Sequence, residues 1–307
     1  MIQASHVLRH AALLSALLLP LAGCGGLASR LAARALTGGG DAYGSDDDPE
    51  LVRAAVPFGL KTMEGVLESQ PEDERLLLAL ASGFTQYGYA FVASDADSAD
   101  LDGRLAESRA LRARARRLFL RARDYGLRAL DGRQDGLGRR LRQARDPAAA
   151  LAAARREDVP YLYWTASAWV LAIVNGKGDM GLVAELPVPV AMMERALALD
   201  EPWGEGALHE FFLSYRATQT AAEGGGPEKV RAHLDRALAL SLNKKLGPRV
   251  AYAEGFLVQA QDRAAFTATL EEVLRADPGE TPRHRLVNVL SQRRARLLLD
   301  HVDDLFL

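Results

Sequence analysis

The stretch MMERALALDEPW, residues 192–203, carries the pattern that decides the fold. Its apolar residues recur at intervals of three and four, alanines separate the leucines, and an Asp-Glu-Pro turn follows. This arrangement is typical of the end of an amphipathic helix followed by a tight connection. Because the alanines are small, a neighbouring helix can approach closely. The stretch therefore predicts a helix that packs against other helices.

Four further phrases repeat this pattern: TMEGVLESQPED, RDYGLRALDGRQ, HLDRALALSLNK and TLEEVLRADPGE. Leu238 and Leu274 are equivalent to Leu197 and follow it at steps of about 41 and about 36 residues, which fits repeated helix pairs. Leu130 precedes Leu197 by about 67 residues, or nearly two units. Further helix starts are indicated by three prolines, Pro49, Pro147 and Pro227.

These patterns predict an all-α fold, an α-solenoid of cryptic, degenerate tetratricopeptide-like helix pairs with a concave face. Alanine, leucine, arginine and glutamate dominate the sequence after residue 49, and runs of β-branched residues are scarce. The alternative is a generic helical protein in which this composition merely recurs.

Cys24, the only cysteine, lies in LLLPLAGCGG, residues 17–26. A short start with Arg9 and an apolar run of about ten residues precede it, as in a secretory signal peptide. That run is shorter than the roughly 20 residues that a bilayer span needs. The segment Leu21-Ala22-Gly23-Cys24 resembles the lipobox of bacterial lipoproteins, which implies cleavage before Cys24 and its acylation. The alternative is a chance cysteine in an ordinary signal peptide.

We therefore predict three segments: a signal peptide at 1–23, a lipidated Cys24 with a flexible linker over 24–48, and a helical repeat domain over 49–307. Two or more acyl chains on Cys24 would give a stable anchor, whereas one chain alone binds membranes only marginally. We expect the lipid to be the only membrane contact. Gly25 resembles an outer-membrane sorting signal, because aspartate is the residue at that position that retains lipoproteins in the inner membrane of enterobacteria.

The composition excludes several classes of function. The chain has 307 residues, 49% of them hydrophobic, and a net charge of −2, which provides no basic surplus for nucleic acid. A single cysteine excludes internal disulfides and multi-cysteine metal sites. An arginine-rich stretch over residues 104–145 has few interleaved aromatic residues. It is interpreted as a solvated helix face, with a partner surface as the alternative.

No motif in the sequence indicates catalysis. GKGDMG, residues 176–181, matches a dinucleotide fingerprint but follows an apparent helix instead of the required strand. LHEFFL begins like a zinc-protease helix, yet Leu213 occupies the place of the second histidine. His209, His233, His284 and His301 show no metal-binding spacing. We expect no catalytic residues, no metal, no cofactor and no enzyme activity.

Aromatic residues concentrate in PYLYWTASAWVLAIV, residues 160–174, and EPWGEGALHEFFLSY, residues 201–215. Small residues between the large ones leave room for a cavity, so these segments are candidates for the lining of an apolar pore. The candidates for the pore lining are Tyr161, Trp164, Trp169, Trp203, Phe211, Phe212 and Tyr215. The candidates for a polar rim are Asn175, Lys177 and Asp179. A packed core is the alternative.

From about Ser45 to the C-terminus the chain resembles the TatT family of T components associated with TRAP-type (tripartite ATP-independent periplasmic) transporters. The resemblance rests on long phrases in order, among them SDDDPELVRAAVPFGLKTMEGVLESQP, LLLALASGFTQYGYAFV, YLYWTASAWVLAIVNGKGDM and LVNVLSQRRARLLLDHVDDLF. It implies a periplasmic lipoprotein of cryptic tetratricopeptide repeats, a homotrimer with a pore in each protomer. It also implies a periplasmic substrate-binding P component as partner and a role in moving hydrophobic ligands.

The sequence thus predicts an accessory lipoprotein of a TRAP-type transport system, placed in the periplasm and anchored to the outer membrane. It would dock the P component and help to bind or transfer a hydrophobic small molecule through a pore. The alternative function is a tetratricopeptide-like scaffold lipoprotein that only assembles envelope proteins. The two functions differ in whether the protein binds a small molecule, since a scaffold needs no ligand.

Overall fold

The computed structural model describes residues 40–307, and the regular elements in this range are all helical. The predicted signal peptide and Cys24 lie outside the described residues. The first eight helices are α1 Gly40–Gly44, α2 Pro49–Ser69, α3 Glu74–Tyr87, α4 Ser94–Leu101, α5 Leu105–Arg133, α6 Leu137–Arg142, α7 Pro147–Ala150 and α8 Val159–Val174. The others are α9 Met180–Val183, α10 Pro187–Leu199, α11 Ala207–Ala217, α12 Pro227–Leu240, α13 Gly247–Tyr252, α14 Arg263–Arg275, α15 Arg285–Asp300 and α16 Val302–Leu305.

Five shorter or irregular helical turns complete the chain. Two are π-helical turns that continue an α-helix, at Gly88–Ala93 after α3 and at Ala253–Leu257 after α13. Three are 3-10 turns, at Arg156–Asp158, Trp203–Glu205 and Pro282–His284. The dinucleotide-like GKGDMG follows α8, so the structure confirms that no strand precedes it.

Aspartate caps set many helix starts. The Asp48 carboxylate accepts hydrogen bonds from the backbone N–H groups of Glu50 and Leu51 at 3.0 and 3.1 Å, at the start of α2. Such a side chain satisfies amides that have no partner within the helix. Asp73 does the same at α3 through the Leu76 amide at 2.9 Å. Helices also begin at Pro49, Pro147 and Pro227, which confirms the starts predicted from proline.

The structure confirms the helical repeat fold. All five sequence phrases mark the end of a helix, at α2, α5, α10, α12 and α14. The alanines predicted to admit a neighbouring helix are buried, since Ala196 and Ala237 are both 0% exposed. Successive helices pack against one another along the chain. Degenerate helix pairs are therefore the unit of this architecture.

The folded part begins within the segment predicted as a linker. Helix α1, Gly40–Gly44, contacts α15 near the other end of the chain. Tyr43 in α1 is 40% exposed. Residues 40–44 are thus held against the repeat domain instead of lying free in front of it.

The helices form two hydrophobic cores. The first core collects buried residues from α2 to α11, and the second collects those from α11 to Phe306. Helix α11 contributes to both, with Leu208 and Phe212 in the first core and Leu213 and Ala217 in the second. The two cores define two halves of the molecule that are joined through α11.

The chain closes on itself, because α15 returns to the first helices. Arg293 of α15 forms an ion pair with Glu50 of α2 at 2.7 Å. The Arg285 guanidinium donates a hydrogen bond to the Ser45 carbonyl at 3.3 Å. The two halves therefore meet at two places, at α11 and at α15, and we call this closed path of contacts the ring.

One continuous helical segment, Glu74–Leu101, is long and apolar enough to cross a membrane by length and composition. It comprises α3, the first π-helical turn and α4. Within its most apolar stretch, 61% is buried inside the fold. The core helix of a globular domain has the same properties, so this segment is only weak support for a membrane span.

Candidate functional site

Tyr89 lies near charged groups of both halves, and we interpret its surroundings as an opening between them. It lies in the π-helical turn Gly88–Ala93, and 63% of it is exposed. Nevertheless, burial raises its pKa to about 12, and the nearby Glu254 carboxylate adds to this effect. Water reaches the Tyr89 side chain, yet protein atoms surround it. Such a side chain lies along an internal opening and not on the outer surface. π-helical turns frequently occur at functional sites.

A charged wall lies beside Tyr89. The Arg294 guanidinium of α15 donates to both carboxylate oxygens of Glu254, and it also pairs with Asp97 of α4 at 3.2 Å. Burial raises the pKa of Asp97 above its ordinary value, although Arg294 opposes this change. Burial is the largest single effect on Arg294 and opposes its charge, but the hydrogen bond to Glu254 and the charges of Glu254 and Asp97 together outweigh it and raise the pKa of the guanidinium. The charges on this wall are therefore already paired.

An aromatic wall lies on α8 and the turn after α10. The ring centroids of Tyr163 and Trp164 are 5.0 Å apart, and those of Tyr163 and Trp203 are 4.6 Å apart. Burial raises the pKa of the Tyr163 hydroxyl, and the charge of Glu210 on α11 adds to this effect. Tyr89 also acts electrostatically on Tyr163, so we place the aromatic wall at the same opening.

The seven aromatic candidates divide into two groups. Trp164, Trp203, Phe211 and Tyr215 are only partly buried. The Phe211 and Tyr215 rings stack with a centroid distance of 6.0 Å. Phe211 directly follows Glu210, whose charge acts on Tyr163. These four remain the candidates for the lining.

The other three lie in helix packing. Trp169 is 1% exposed, and its indole N–H donates to Glu185 at 2.7 Å. The Arg133 guanidinium lies 4.5 Å above the Tyr161 ring, so Tyr161 faces α5. Phe212 is 2% exposed and stacks on His233 at 5.4 Å. Their side chains fill the space between helices.

The predicted rim lies at the end of α8. The Asn175 amide donates to the Leu171 carbonyl at 2.9 Å. The Asp179 carboxylate caps α9 by accepting from the Leu182 amide at 3.1 Å, and it pairs with Arg116 of α5 at 2.5 Å. Lys177 is exposed. Asn175 and Asp179 therefore hold the turn in place, and Lys177 alone extends into solvent.

Sequence reasoning missed Tyr89, Tyr163, Glu210, Glu254 and Arg294. Tyr163 is adjacent to Trp164, and the same aromatic stretch could have indicated it. Tyr89 and Arg294 are more than 200 residues apart, and only the return of α15 to the first half brings them together. No local pattern in the sequence signals that contact.

A histidine pair joins α11 to α12. The Nδ1 atoms of His209 and His233 are 2.9 Å apart, and Nε2 of His209 lies 3.1 Å from the Glu201 carboxylate. Arg236 donates to both oxygens of Glu201, and this contact lowers the pKa of that carboxyl to about 2. An ionised carboxylate only accepts, so His209 carries its proton on Nε2. His233 must then donate through Nδ1.

The histidine pair predicts a loss of stability in mild acid. Burial lowers the pKa of His233 to about 4, and the electrostatic effects of His209 and Arg216 lower it further. The unfolded chain takes up this proton near pH 6.5, whereas the folded chain does not, so the free energy of unfolding should fall between pH 6.5 and 4. Denaturant titrations at pH 7.5, 6.5 and 5.5 should show this slope. The slope should be smaller in His233→Gln.

His301 provides the matched control, because its shift has the opposite sign. A hydrogen bond to the Leu297 carbonyl raises its pKa, and Asp102 adds to the effect. The stability that His301 contributes is therefore present below its ordinary pKa and is lost as the pH rises through the raised value. His301→Gln should make the slope between pH 7.5 and 5.5 steeper. Equal slopes in the parent and His233→Gln would contradict the assignment of the acid sensitivity to the pair.

Among residues 40–307, no group of three or more histidine, cysteine, aspartate or glutamate side chains could hold a metal ion. In the His209–His233 pair the two Nδ1 atoms face each other, and Glu201 lies at the other ring nitrogen of His209, Nε2, so the three groups do not converge on one point. The opening combines aromatic side chains with charges that are already paired. This arrangement suits the reversible burial of a mostly apolar molecule.

Comparison with known proteins establishes the class. The family of TRAP transporter T-components matches residues 45–306, which is most of the chain. The chain is also 30% identical over 267 residues to an uncharacterized protein of Treponema pallidum (strain Nichols), covering 86% of this chain and 82% of the relative. The chain belongs to the TRAP transporter T-component family, TAtT. This membership confirms the resemblance, identifies an accessory component of a TRAP transport system, and associates the chain with the cell envelope.

Proposed function

We propose that this T component is a periplasmic lipoprotein that binds an apolar small molecule in the opening between its two halves and transfers it within a TRAP transport system. The observation that carries the proposal is Tyr89, which is accessible to solvent yet surrounded by protein. Trp164, Trp203 and Phe211 supply the apolar part of the wall. Family membership supports the transport context.

The free energy of such binding comes from burial. Apolar surface gains about 25 cal/mol per Å2 when it leaves water, so hiding a few hundred Å2 provides several kcal/mol before the costs of association. The charged side chains on the wall pair with one another, as Arg294 does with Glu254 and Asp97. A ligand need not supply a counter-charge. An uncharged or weakly polar molecule therefore fits this site best.

The proposal includes the assembly that the family resemblance implies. Acylated Cys24 would anchor the chain to the outer membrane, and three copies would form a homotrimer. The repeat surface would dock a periplasmic substrate-binding P component, which would receive or deliver the ligand. A scaffold lipoprotein would share the anchor and the repeats but would contain no ligand.

Native mass spectrometry of a chain that starts at residue 25, followed by solvent extraction, tests the proposal. Both cores and the helix caps lie within residues 40–307, so this chain retains every described contact. A trimer that carries a stoichiometric apolar molecule would support transport and would reveal the ligand class. A ligand-free chain that also fails to bind Nile red, a neutral apolar dye, would favour the scaffold.

Phe211→Ala should weaken the binding of Nile red about tenfold or more, because it removes a partly accessible ring from the aromatic wall. Phe58→Ala is the matched control, since Phe58 is 79% exposed on the outer face of α2. Fluorescence titration measures both affinities, and thermal unfolding monitors the fold. Equal affinities for the two variants would remove Phe211 from the lining.

A further inference from the structure

We propose that the ring is a clamshell, hinged at α11, and that the seam between α15 and the helices α2 and α4 opens to admit ligand. The inference rests on the proposed function and adds the route by which a molecule enters. It follows from how the two halves are joined. On one side they share a helix, and on the other they are held by ion pairs and by two leucines in the first half of α15.

The hinge side is continuous. Helix α11 places Leu208 and Phe212 in the first core and Leu213 and Ala217 in the second, so both halves pack on one helix. Polar contacts reinforce this side. The His209–His233 pair, 2.9 Å between Nδ1 atoms, joins α11 to α12. A helix shared by two cores can rotate as a hinge but cannot separate from either half without exposing apolar surface.

The opposite side, the seam, is polar along the second half of α15. Arg293 pairs with Glu50 at 2.7 Å, Arg294 with Asp97 at 3.2 Å, and His301 with Asp102 at 3.3 Å. The apolar contacts of α15 with the first core come from Leu286 and Leu290, in its first half. Ala295 and Leu298, in its second half, are buried in the second core. The second half of α15 therefore moves with the second core.

The energies favour opening at the seam. An exposed ion pair contributes little to stability, and salt weakens it further. The Arg293 and Glu50 side chains are 49% and 61% exposed. Separating either core from α11 would instead expose several fully buried side chains, which costs far more. Opening the seam separates three ion pairs and two partly buried leucines from the first core, so the seam is the weaker of the two junctions.

The seam also leads to the site. Arg294 pairs with Asp97 across it and with Glu254 in its own half, and both carboxylates act on Tyr89. Opening the seam would therefore expose Tyr89 and the charged wall beside it directly to the medium. A molecule could enter sideways and would not have to thread through the ring.

Spin labels across the seam test the movement without any ligand. Leu51 on α2 is 59% exposed, and Arg296 on α15 is also exposed. In a chain that starts at residue 25, cysteines at these two positions carry the only labels, because Cys24 is the only native cysteine. Arg293→Glu places like charges at Glu50 and should lengthen or broaden the distance distribution. Arg263→Glu, which breaks the exposed Arg263–Asp303 pair of the second half, should not.

Stopped-flow fluorescence with Nile red tests the entry route. Arg293→Glu should raise the association rate several-fold, and a change from 50 to 500 mM NaCl should raise it in the parent but less in the variant. Unchanged distances and rates in Arg293→Glu would overturn the clamshell, even if the dye binds. Longer distances with no dye binding in any variant would uphold the movement and instead overturn the proposed apolar site.

Discussion

Trp169→Ala should lower the free energy of unfolding by about 3–5 kcal/mol, the usual cost of truncating a buried aromatic side chain. Trp169 is 1% exposed and belongs to the first core. Its indole N–H donates to Glu185 at 2.7 Å, and the Arg123 guanidinium lies 5.2 Å above the ring. The substitution leaves a cavity between α8 and α5, and Glu185 loses a donor.

Trp164→Ala is the internal control for this experiment. Trp164 is five residues away on the same helix and is only partly buried, and its ring meets Tyr163 edge-on at 5.0 Å. Its loss should cost no more than about 2 kcal/mol, since partial burial stabilises less than full burial. Urea denaturation of both variants gives the comparison. If Trp164→Ala lowered the free energy of unfolding more than Trp169→Ala, Trp164 would be the core residue and Trp169 the accessible one. The opening would then lie on the other face of α8.

The contrast between the two tryptophans shows what the sequence could and could not predict. Both lie in one apolar stretch, and the whole stretch was a candidate for the pore. Helix α8 is apolar nearly all round, so its periodicity does not distinguish the face toward α5 from the face toward the opening. Only the packing of α8 against α5 places Trp169 and Tyr161 inside and leaves Trp164 accessible.

Local features of the fold were predictable because they depend on local chemistry. Each repeated phrase combines a helical period with a turn, and each one ends a helix in the structure. The prolines and aspartates at helix starts act on amides within one turn. Such rules operate over a few residues and can be applied to a sequence without knowledge of its contacts.

The site depends instead on distant contacts. Asp97, which acts electrostatically on Tyr89, comes from the same helical segment, but Glu254 and Arg294, which also act on it, come from the other half of the ring. Spacing within one helix does not reveal the histidine pair, because His209 and His233 meet across α11 and α12. A pair separated by 24 residues on two helices has no period that a single sequence displays.

Asp158→Ala should be nearly as damaging as the loss of Trp169, although nothing in the sequence distinguishes this aspartate from its neighbours. Asp158 is 3% exposed. Its carboxylate accepts from the Arg133 guanidinium at 2.5 Å, from Gln134 at 2.8 Å and from the Arg155 amide at 2.9 Å. Removal of one partner from a buried ion pair costs about 3 kcal/mol or more, because the remaining charge is left without compensation.

The double variant Asp158→Ala with Arg133→Leu separates this cause from simple loss of packing. Once the Arg133 guanidinium is also removed, no uncompensated charge remains. The second substitution should therefore lower the free energy of unfolding by less than it does alone, so the two effects should not be additive. Arg263→Ala provides the exposed comparison, and it should change stability by about 1 kcal/mol or less. Additive losses would mean that Asp158 acts through its other bonds, to Gln134 and the Arg155 amide. The joint between α5 and the turn before α8 would then depend on neutral hydrogen bonds instead of on charge.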